Sequence, residues 1–550
     1  MCSDKQIIKD LYKAYIEDGV KKAKDKEFDD CELIFLKALS LDKKETLAYI
    51  NLSNIYIVQN KIEKSVKLLM SYFTKNHFNE EIANHTARIL FTFKQTKHLI
   101  NLFKITKLNS KKNSHKKNYL YFIQGQYYER EEEYEKAKHA FNRSIECNKF
   151  YFDSYLKLLN LYEKTIDYLQ FKKLLKVSFN IFNDVNQIRI LLFYKSLSLF
   201  NEKKFYESQK IITNNNLYYE LNNNNVYFIK LLDLEAKNNE KLKHYDLAFK
   251  KIEEKNNIIT NLSESKRFDG KNIYSSIDKY KIFFNKKNVS YINSKLNYQN
   301  DNNLVFLIGF PRSGTTLLDS ILRSHSCINV LEEKPFLLNL RHEFFKNNNN
   351  DLSSLLDISQ KAKDNIRESY FKKIITSPED NRKIIIDKFP LTIIELGFIK
   401  CIFPRAKIIL ALRHPCDVVL SCYFSSFKIN DAMVNFLKWK DTIKFYNSVF
   451  NLFEFYNKEL SLDLLTIKYE DVINDFKNKT KIMSNYLGLE YEESMENFFQ
   501  TARNRSRIST PSYNQVINPL YTSSIGRWKN YSVARQSKIE LNKWIKRFNY

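Results

Sequence analysis

The chain has 550 residues, a formal net charge of +26 and a pI near 9.4, a length too great for one ordinary core and suited to two to four domains. Lysine, asparagine and isoleucine recur throughout, with runs such as 222–225 and 347–350, so the basic surplus reads as a compositional habit. No clustered basic helix with interleaved aromatics and no DNA-binding signature stands out, which excludes nucleic acid as the expected partner.

Seven scattered cysteines never form a C-x-x-C pair, which argues against a disulfide framework and a zinc site and suits a reducing compartment. The opening MCSDKQIIKDLYKAY mixes charge with apolar residues. No apolar run reaches the roughly 18 residues that a membrane helix needs. The expectation is a soluble, cytoplasmic chain.

From the start to about Asn261 apolar residues recur at three and four, with almost no proline or strand signal, which predicts helices. Gly19, Phe28, Phe35 and Leu39 have counterparts at Gly125, Tyr134, Phe141 and Ile145, each 106 residues on. Phe28 pairs with Ile62, and Tyr134 with Tyr168, at 34 residues, the period of a helix-turn-helix repeat. The stretches KEFDDCELIFLKALSLD and EEYEKAKHAFNRSIECN resemble the second helix of tetratricopeptide repeats. Cys31 and Ala137 take the small position three after the aromatic, and Gly19 and Gly125 sit where the first helix must admit its partner. Ser53 and Leu159 replace that glycine elsewhere, and the spacing stretches to 37 between Tyr168 and Phe205. A lone helix pair cannot bury its apolar stripe, so five to seven pairs are expected to stack over 1–261. They serve either as a binding groove or simply as packed helices.

Residues 262–302 lose the period and read as a linker with a short helix near Ile277 to Phe284. Over 303–550 the pattern changes. The apolar runs LVFLIG (304–309), KIIID (383–387), AKIILAL (406–412) and LLTIKY (464–469) alternate with helical segments. That predicts an α/β fold around a central parallel sheet, with ligands at the carboxyl ends of its strands.

The first of these strands runs into Gly309-Phe310-Pro311-Arg312-Ser313-Gly314-Thr315-Thr316. Gly309 and Gly314 have Walker A spacing, but Thr315 stands where the lysine belongs. A helix starting near Ser313 offers backbone N–H groups and a positive dipole end to an anion. Arg312 and three hydroxyls add hydrogen bonds, the charged ones worth about 1.5 to 3 kcal/mol each. A nucleoside triphosphate needs the lysine and a metal clamp, whereas a 5′-phosphosulfate carries less charge. The loop therefore favours a sulfate donor.

PRSGTTLL resembles the 5′-phosphosulfate loop of sulfotransferases that use 3′-phosphoadenosine 5′-phosphosulfate (PAPS), and the likeness extends from about Asn303 to Tyr550. RHPCDVVLSCYFSSF is similar to the family's 3′-phosphate site, which implies that Arg413 and Ser421 bind that group. TIKYEDV implies that Tyr469 lies near the nucleotide, and SYNQVINPLYTSSIGRWKNY implies contacts from Ser512, Arg527 and Trp528. Helical repeats ahead of these motifs are most similar to bacterial tetratricopeptide-repeat sulfotransferases, whose catalytic half resembles protein-tyrosine sulfotransferases. By that resemblance Glu333, beside Glu332 in NVLEEKPFL, is the base, with His325 as its rival. Lys388, in IIIDKFPLT, steadies charge on the transferring sulfate together with Arg312, and no metal is required. Pro335 stands where tyrosine sulfotransferases keep an arginine for acidic peptides.

The implied acceptor is a peptide or protein hydroxyl held by the repeats, with a small molecule or carbohydrate equally open, and a homodimer is compatible. Two other classes remain. A P-loop kinase or NTPase would use Asp387 as its ion-binding acid, and a helical-repeat adaptor would carry a degenerate transferase half.

Overall fold

The computed structural model describes residues 2–76, 78–106, 117–222, 224–295, 303–375, 383–503, 516–520 and 522–550. The chain forms two compact units, Met1–Leu217 and Tyr218–Tyr550.

The first unit is helical among its described residues. Its helices pair as α1 (Cys2–Lys24) with α2 (Phe28–Leu41), α3 (Leu47–Val58) with α4 (Ile62–Lys75), and α5 (Glu80–Thr92) with α6 (Thr96–Ile105). They continue as α7 (Asn118–Arg130) with α8 (Tyr134–Cys147), α9 (Phe152–Lys164) with α10 (Tyr168–Ile181), and α11 (Val185–Asn201) with α12 (Phe205–Asn214). Each pair turns through one non-glycine residue in the left-handed region, two positions before the second helix. These are Lys26, Asn60, Lys94, Glu132, Ile166 and Lys203, with φ between 55° and 64°. The next N–H reaches back five residues, as Glu27 does to the Lys22 carbonyl and Asp167 to that of Tyr162. This closure satisfies carbonyls that a helix end would otherwise leave bare. The glycine positions have a steric basis. A Cβ on Gly19 would lie 2.5 Å from the Phe35 ring, and one on Gly125 2.5 Å from the Phe141 ring.

After the single turn α13 (Leu217–Glu220), a further pair, α14 (Asn225–Lys241) and α15 (Tyr245–Asn261), belongs to the second unit. It has the same turn, at Lys243 with φ 65°. The stretch expected to link the domains holds two helices, α16 (Lys271–Phe283) and α17 (Lys286–Ser294). Their Ile277, Tyr280, Phe283 and Ile292 are buried, and the Tyr280 hydroxyl donates to Glu395 Oε2 at 2.6 Å. These helices are core elements of the second unit.

The sheet then builds in the order β1 (Leu304–Gly309), α18 (Thr315–Arg323), β2 (Ile328–Glu332), α19 (Phe336–Asn347), α20 (Ser354–Asp357), α21 (Gln360–Ile374) and β3 (Ile384–Lys388). It continues through α22 (Leu396–Ile402), β4 (Lys407–Leu412), α23 (Pro415–Phe424), α24 (Trp439–Glu459), β5 (Leu464–Lys468) and α25 (Tyr469–Asn474). The strand order is β2-β3-β1-β4-β5, and every pairing is parallel. The central β1 is buried along its whole length, as its unbroken apolar run requires. The chain leaves β1 toward β2 on one side and leaves β4 toward β5 on the other. The crevice outside the carboxyl ends of β1 and β4 is therefore the topological switch point, where such sheets bind ligands.

Candidate functional site

The loop after β1 sits on an aromatic floor. Phe310 is fully buried, with its ring centroid 5.0 Å from Tyr446, 5.5 Å from Phe445 and 5.7 Å from Phe436. Above that anchor the backbone turns sharply, with Arg312 at φ 69° and Gly314 at φ 98°. A non-glycine residue held there is strained by about 1 to 3 kcal/mol, a feature that clusters at ligand sites. At Gly314 a side chain would also fail sterically, since a Cβ would lie 2.9 Å from Tyr469 Cδ2. Gly314 caps α18 without a side-chain hydrogen bond, and a helix start of this kind beside the loop is the usual cradle for an anion.

Four segments close around the cradle. Arg312 donates from Nε to Ser421 Oγ at 3.0 Å. Arg413 donates from Nη1 to the Arg312 carbonyl at 3.4 Å and from Nη2 to that of Ser524 at 2.5 Å. Its guanidinium lies 5.1 Å from the Tyr469 ring centroid. Ser313 and Arg413 are buried, yet Ser313 Oγ and Arg413 Nε have no hydrogen-bond partner among the described residues. Buried polar atoms are normally satisfied, so these two fit an anionic ligand. Two cavities flank the loop. One of about 50 Å³ is lined by Thr315, Thr316, Tyr469 and Pro519 among others. The other, about 550 Å³, is lined by Arg312, Arg413, Ser421, Ser524 and residues of α14.

Beside the cradle lies a buried charge cluster. Lys388 ends β3 and is fully buried. Its Nζ is 2.8 Å from Glu333 Oε1, 3.7 Å from Glu332 Oε1 and 3.9 Å from Asp319 Oδ2. Asp319 follows Thr315 by one turn of α18 and accepts from Arg323 Nε at 2.9 Å. The register sets Glu332 opposite Lys388, and Glu333 continues the ladder by donating its N–H to the Lys388 carbonyl at 2.8 Å. Glu333 has φ 46°, so the chain turns there and its carboxylate folds back onto the lysine.

Pro311 to Thr316, Arg413, Ser421 and Tyr469 thus come together at the switch point, while Glu333 and Lys388 meet one strand away. Other expected residues lie differently. His325 is buried, its Nε2 hydrogen-bonded to the Glu490 carbonyl at 2.9 Å and its Nδ1 accepting from the Cys327 N–H at 3.1 Å. Both nitrogens are occupied in holding a turn. Asp387 faces the side of the sheet opposite Lys388. Burial pushes its carboxyl up to about 7, and it accepts from the Tyr370 hydroxyl at 2.5 Å. Arg527 lines the larger cavity but is held in a fork by Glu240, with Nη2 to Oε2 at 2.9 Å. Trp528 is buried and lines neither cavity; it stacks on His414 at 5.0 Å and 17°. Ser512 lies outside the described residues.

Sequence reading missed several residues. Asp417 accepts from the Gly526 N–H at 2.7 Å and the Trp528 N–H at 2.9 Å, which pins the segment carrying Ser524. Its signal was an acid in the first turn of a helix. Asp319 is fully buried, an acid between the apolar pairs Leu317-Leu318 and Ile321-Leu322. The α14 lining left no signal in the local sequence.

The fold and the loop define a parallel α/β domain with basic residues at its switch point. Residues 305–493 match the model of the Sulfotransferase family, so the second unit carries a sulfotransferase-family domain. The chain is 25% identical over 247 residues to an uncharacterized protein of Aquifex aeolicus, covering 43% of this chain and 32% of that one. It is 22% identical over 241 residues to protein-tyrosine sulfotransferase 1 of Danio rerio, covering 42% and 67%. The chain thus spans about a third of the first relative and two thirds of the second. The sulfotransferase domain of the Synechococcus PCC 7002 olefin synthase is similar at 18% identity and a TM-score of 0.34, over 46% of this chain and 98% of that domain.

Proposed function

We propose that the protein is a PAPS-dependent sulfotransferase that moves a sulfuryl group to an acceptor hydroxyl. The observation that carries the reading is the bond between Arg312 and Ser421, which joins the residues expected at the two anionic ends of PAPS in one cradle. The unpartnered Ser313 Oγ and Arg413 Nε supply further donors. PAPS provides the activated sulfuryl group.

As the acceptor oxygen bonds to sulfur, the bond from sulfur to the donor's 5′-phosphate oxygen breaks, adenosine 3′,5′-bisphosphate leaves, and the hydroxyl proton passes to Glu333. Lys388, 2.8 Å away, orients the carboxylate and, with Arg312, faces the negative charge that builds during transfer. His325 does not suit the role, because its ring nitrogens already hold the backbone. Asp387 does not suit a metal-binding kinase acid, because it is sealed against Tyr370.

The repeat unit is the candidate for presenting a peptide or protein acceptor, and tyrosine is the first acceptor to test, given the named relative. The cytoplasm is the proposed compartment; the described cysteines Cys31, Cys147, Cys327, Cys401, Cys416 and Cys422 are free, and no described helix is long and apolar enough to cross a membrane.

The decisive experiment is transfer of radiolabelled sulfate from PAPS to a panel of peptide, carbohydrate and small-molecule acceptors by wild type, Glu333→Ala and His325→Ala. Transfer abolished by the first variant and retained by the second supports the reading. Full activity in Glu333→Ala would refute the assignment of the base. Tight ATP binding with indifference to adenosine 3′,5′-bisphosphate would refute the donor.

A further inference from the structure

We propose that α14 completes the donor site: Lys237 and Lys241 bind the 3′-phosphate that separates PAPS from ordinary adenine nucleotides. This rests on the donor reading above and assigns part of that site to a helix outside the sheet.

The cavity of about 550 Å³ carries Arg312, Arg413 and Ser421 on one wall and Lys237 and Lys241 on the other. Its volume is in the range of small-ligand sites, about 300 to 1,000 Å³. The two lysines are four residues apart and so share a helix face. The acidic lining residues are already matched. Glu240 is held by Arg527, and Asp233 by Lys237 at 2.8 Å and Lys255 at 3.0 Å. The potential left facing the cavity is therefore positive. Lys255 alone, at 3.0 Å, keeps the Asp233 carboxylate paired.

The wall is fixed to Ser421. Lys255 is fully buried and donates to the Phe424 carbonyl and to Ser426 Oγ, both at 3.3 Å. Asn256 Nδ2 donates to the Tyr423 carbonyl at 3.1 Å. These bonds grip the residues just after Ser421, so α14, α15 and the end of α23 move as one piece. A pocket assembled this way is preorganised for a dianion, which tolerates little misplacement of its donors.

The test is calorimetry on the full chain with adenosine 3′,5′-bisphosphate and adenosine 5′-monophosphate. Wild type should prefer the bisphosphate. The double variant Lys237→Gln/Lys241→Gln should weaken the bisphosphate by about tenfold while leaving the monophosphate within about twofold, and Lys237→Arg/Lys241→Arg should retain the preference. A wild-type chain without that preference would overturn the donor reading itself. A preference undiminished in the glutamine variant would overturn the α14 assignment alone. Equal weakening of both nucleotides would show that the lysines merely support the fold.

Discussion

Arg312 and Ser421 lie 109 residues apart in the chain, yet the arginine Nε donates to the serine Oγ at 3.0 Å. That bond orients the guanidinium across the loop. Ser421→Ala should weaken binding of adenosine 3′,5′-bisphosphate by about ten- to a hundredfold, the worth of a charge-assisted hydrogen bond. Arg312→Lys should lose as much despite its charge, because a lysine has no planar fork. Calorimetry on both variants, with circular dichroism to confirm folding, checks this; an Arg312→Lys affinity equal to wild type would contradict it.

Gly314 and Gly488 both have positive φ, at 98° and 76°, but only Gly314 has a neighbour where a Cβ would go. Gly488→Ala should cost about 1 to 2 kcal/mol, the left-handed penalty alone, and leave nucleotide binding intact. Gly314→Ala adds a clash with Tyr469 and should abolish binding. Urea denaturation and nucleotide titration of the pair separate the two effects.

Two histidines make the chain acid-sensitive. Burial holds His414 down to about 4, helped by Lys529, Lys538 and Arg413, and burial with Arg88 holds His85 down to about 4. Nδ1 of His414 accepts from the Cys416 N–H at 3.2 Å, a bond that protonation would remove. Near pH 6.5 and below, the unfolded chain takes up these protons while the folded chain does not until about pH 4. The stability from the neutral rings is thus full above about pH 6.5 and declines toward about pH 4, by up to about 1.4 kcal/mol per pH unit for each. Asp387, raised to about 7, gains stability as pH falls over the same window, so the ring is read by difference: urea midpoints of His414→Gln should fall less toward pH 4 than those of wild type.

The last helix pair should be inseparable from the transferase domain. Phe249 of α15 lies 5.1 Å from Tyr423 and 5.4 Å from Trp439, centroid to centroid. Phe249→Ala in the full chain should cost about 3 to 5 kcal/mol, as large aromatic truncations do. A chain beginning at residue 218 should remain soluble, and one beginning at 262 should aggregate. Expression and thermal melts of the two decide it.

Much of this was legible in the residues. The run at 304–309 announced a strand because a strand buried on both faces must be apolar throughout. Those at 383–387, 406–412 and 464–469 did so through short apolar stretches with polar interruptions, the last lying mostly half-buried. β2 escaped because INVLE is short, broken by Asn329 and ends in charge, which from sequence looks like the start of a helix before Pro335. The loop glycines and Arg312 spoke for an anion because their chemistry is local. Trp528 and Arg527 were harder: their partners, His414 and Glu240, are 114 and 287 residues away, and no local pattern reveals such a pairing. The place of α14 and α15 was hidden likewise, since their period continues that of the repeats while Lys255 and Phe249 bind them to the transferase core.

The left-handed turns set the order in which the helical array gives way. In six of the seven pairs the turn residue is unbranched at Cβ, but Ile166 is β-branched, the side-chain type least tolerant of that conformation. In a structure whose stability is a local sum, heat or force should open the chain first at the α9–α10 turn, and asparagine at position 166 would move the point of failure elsewhere.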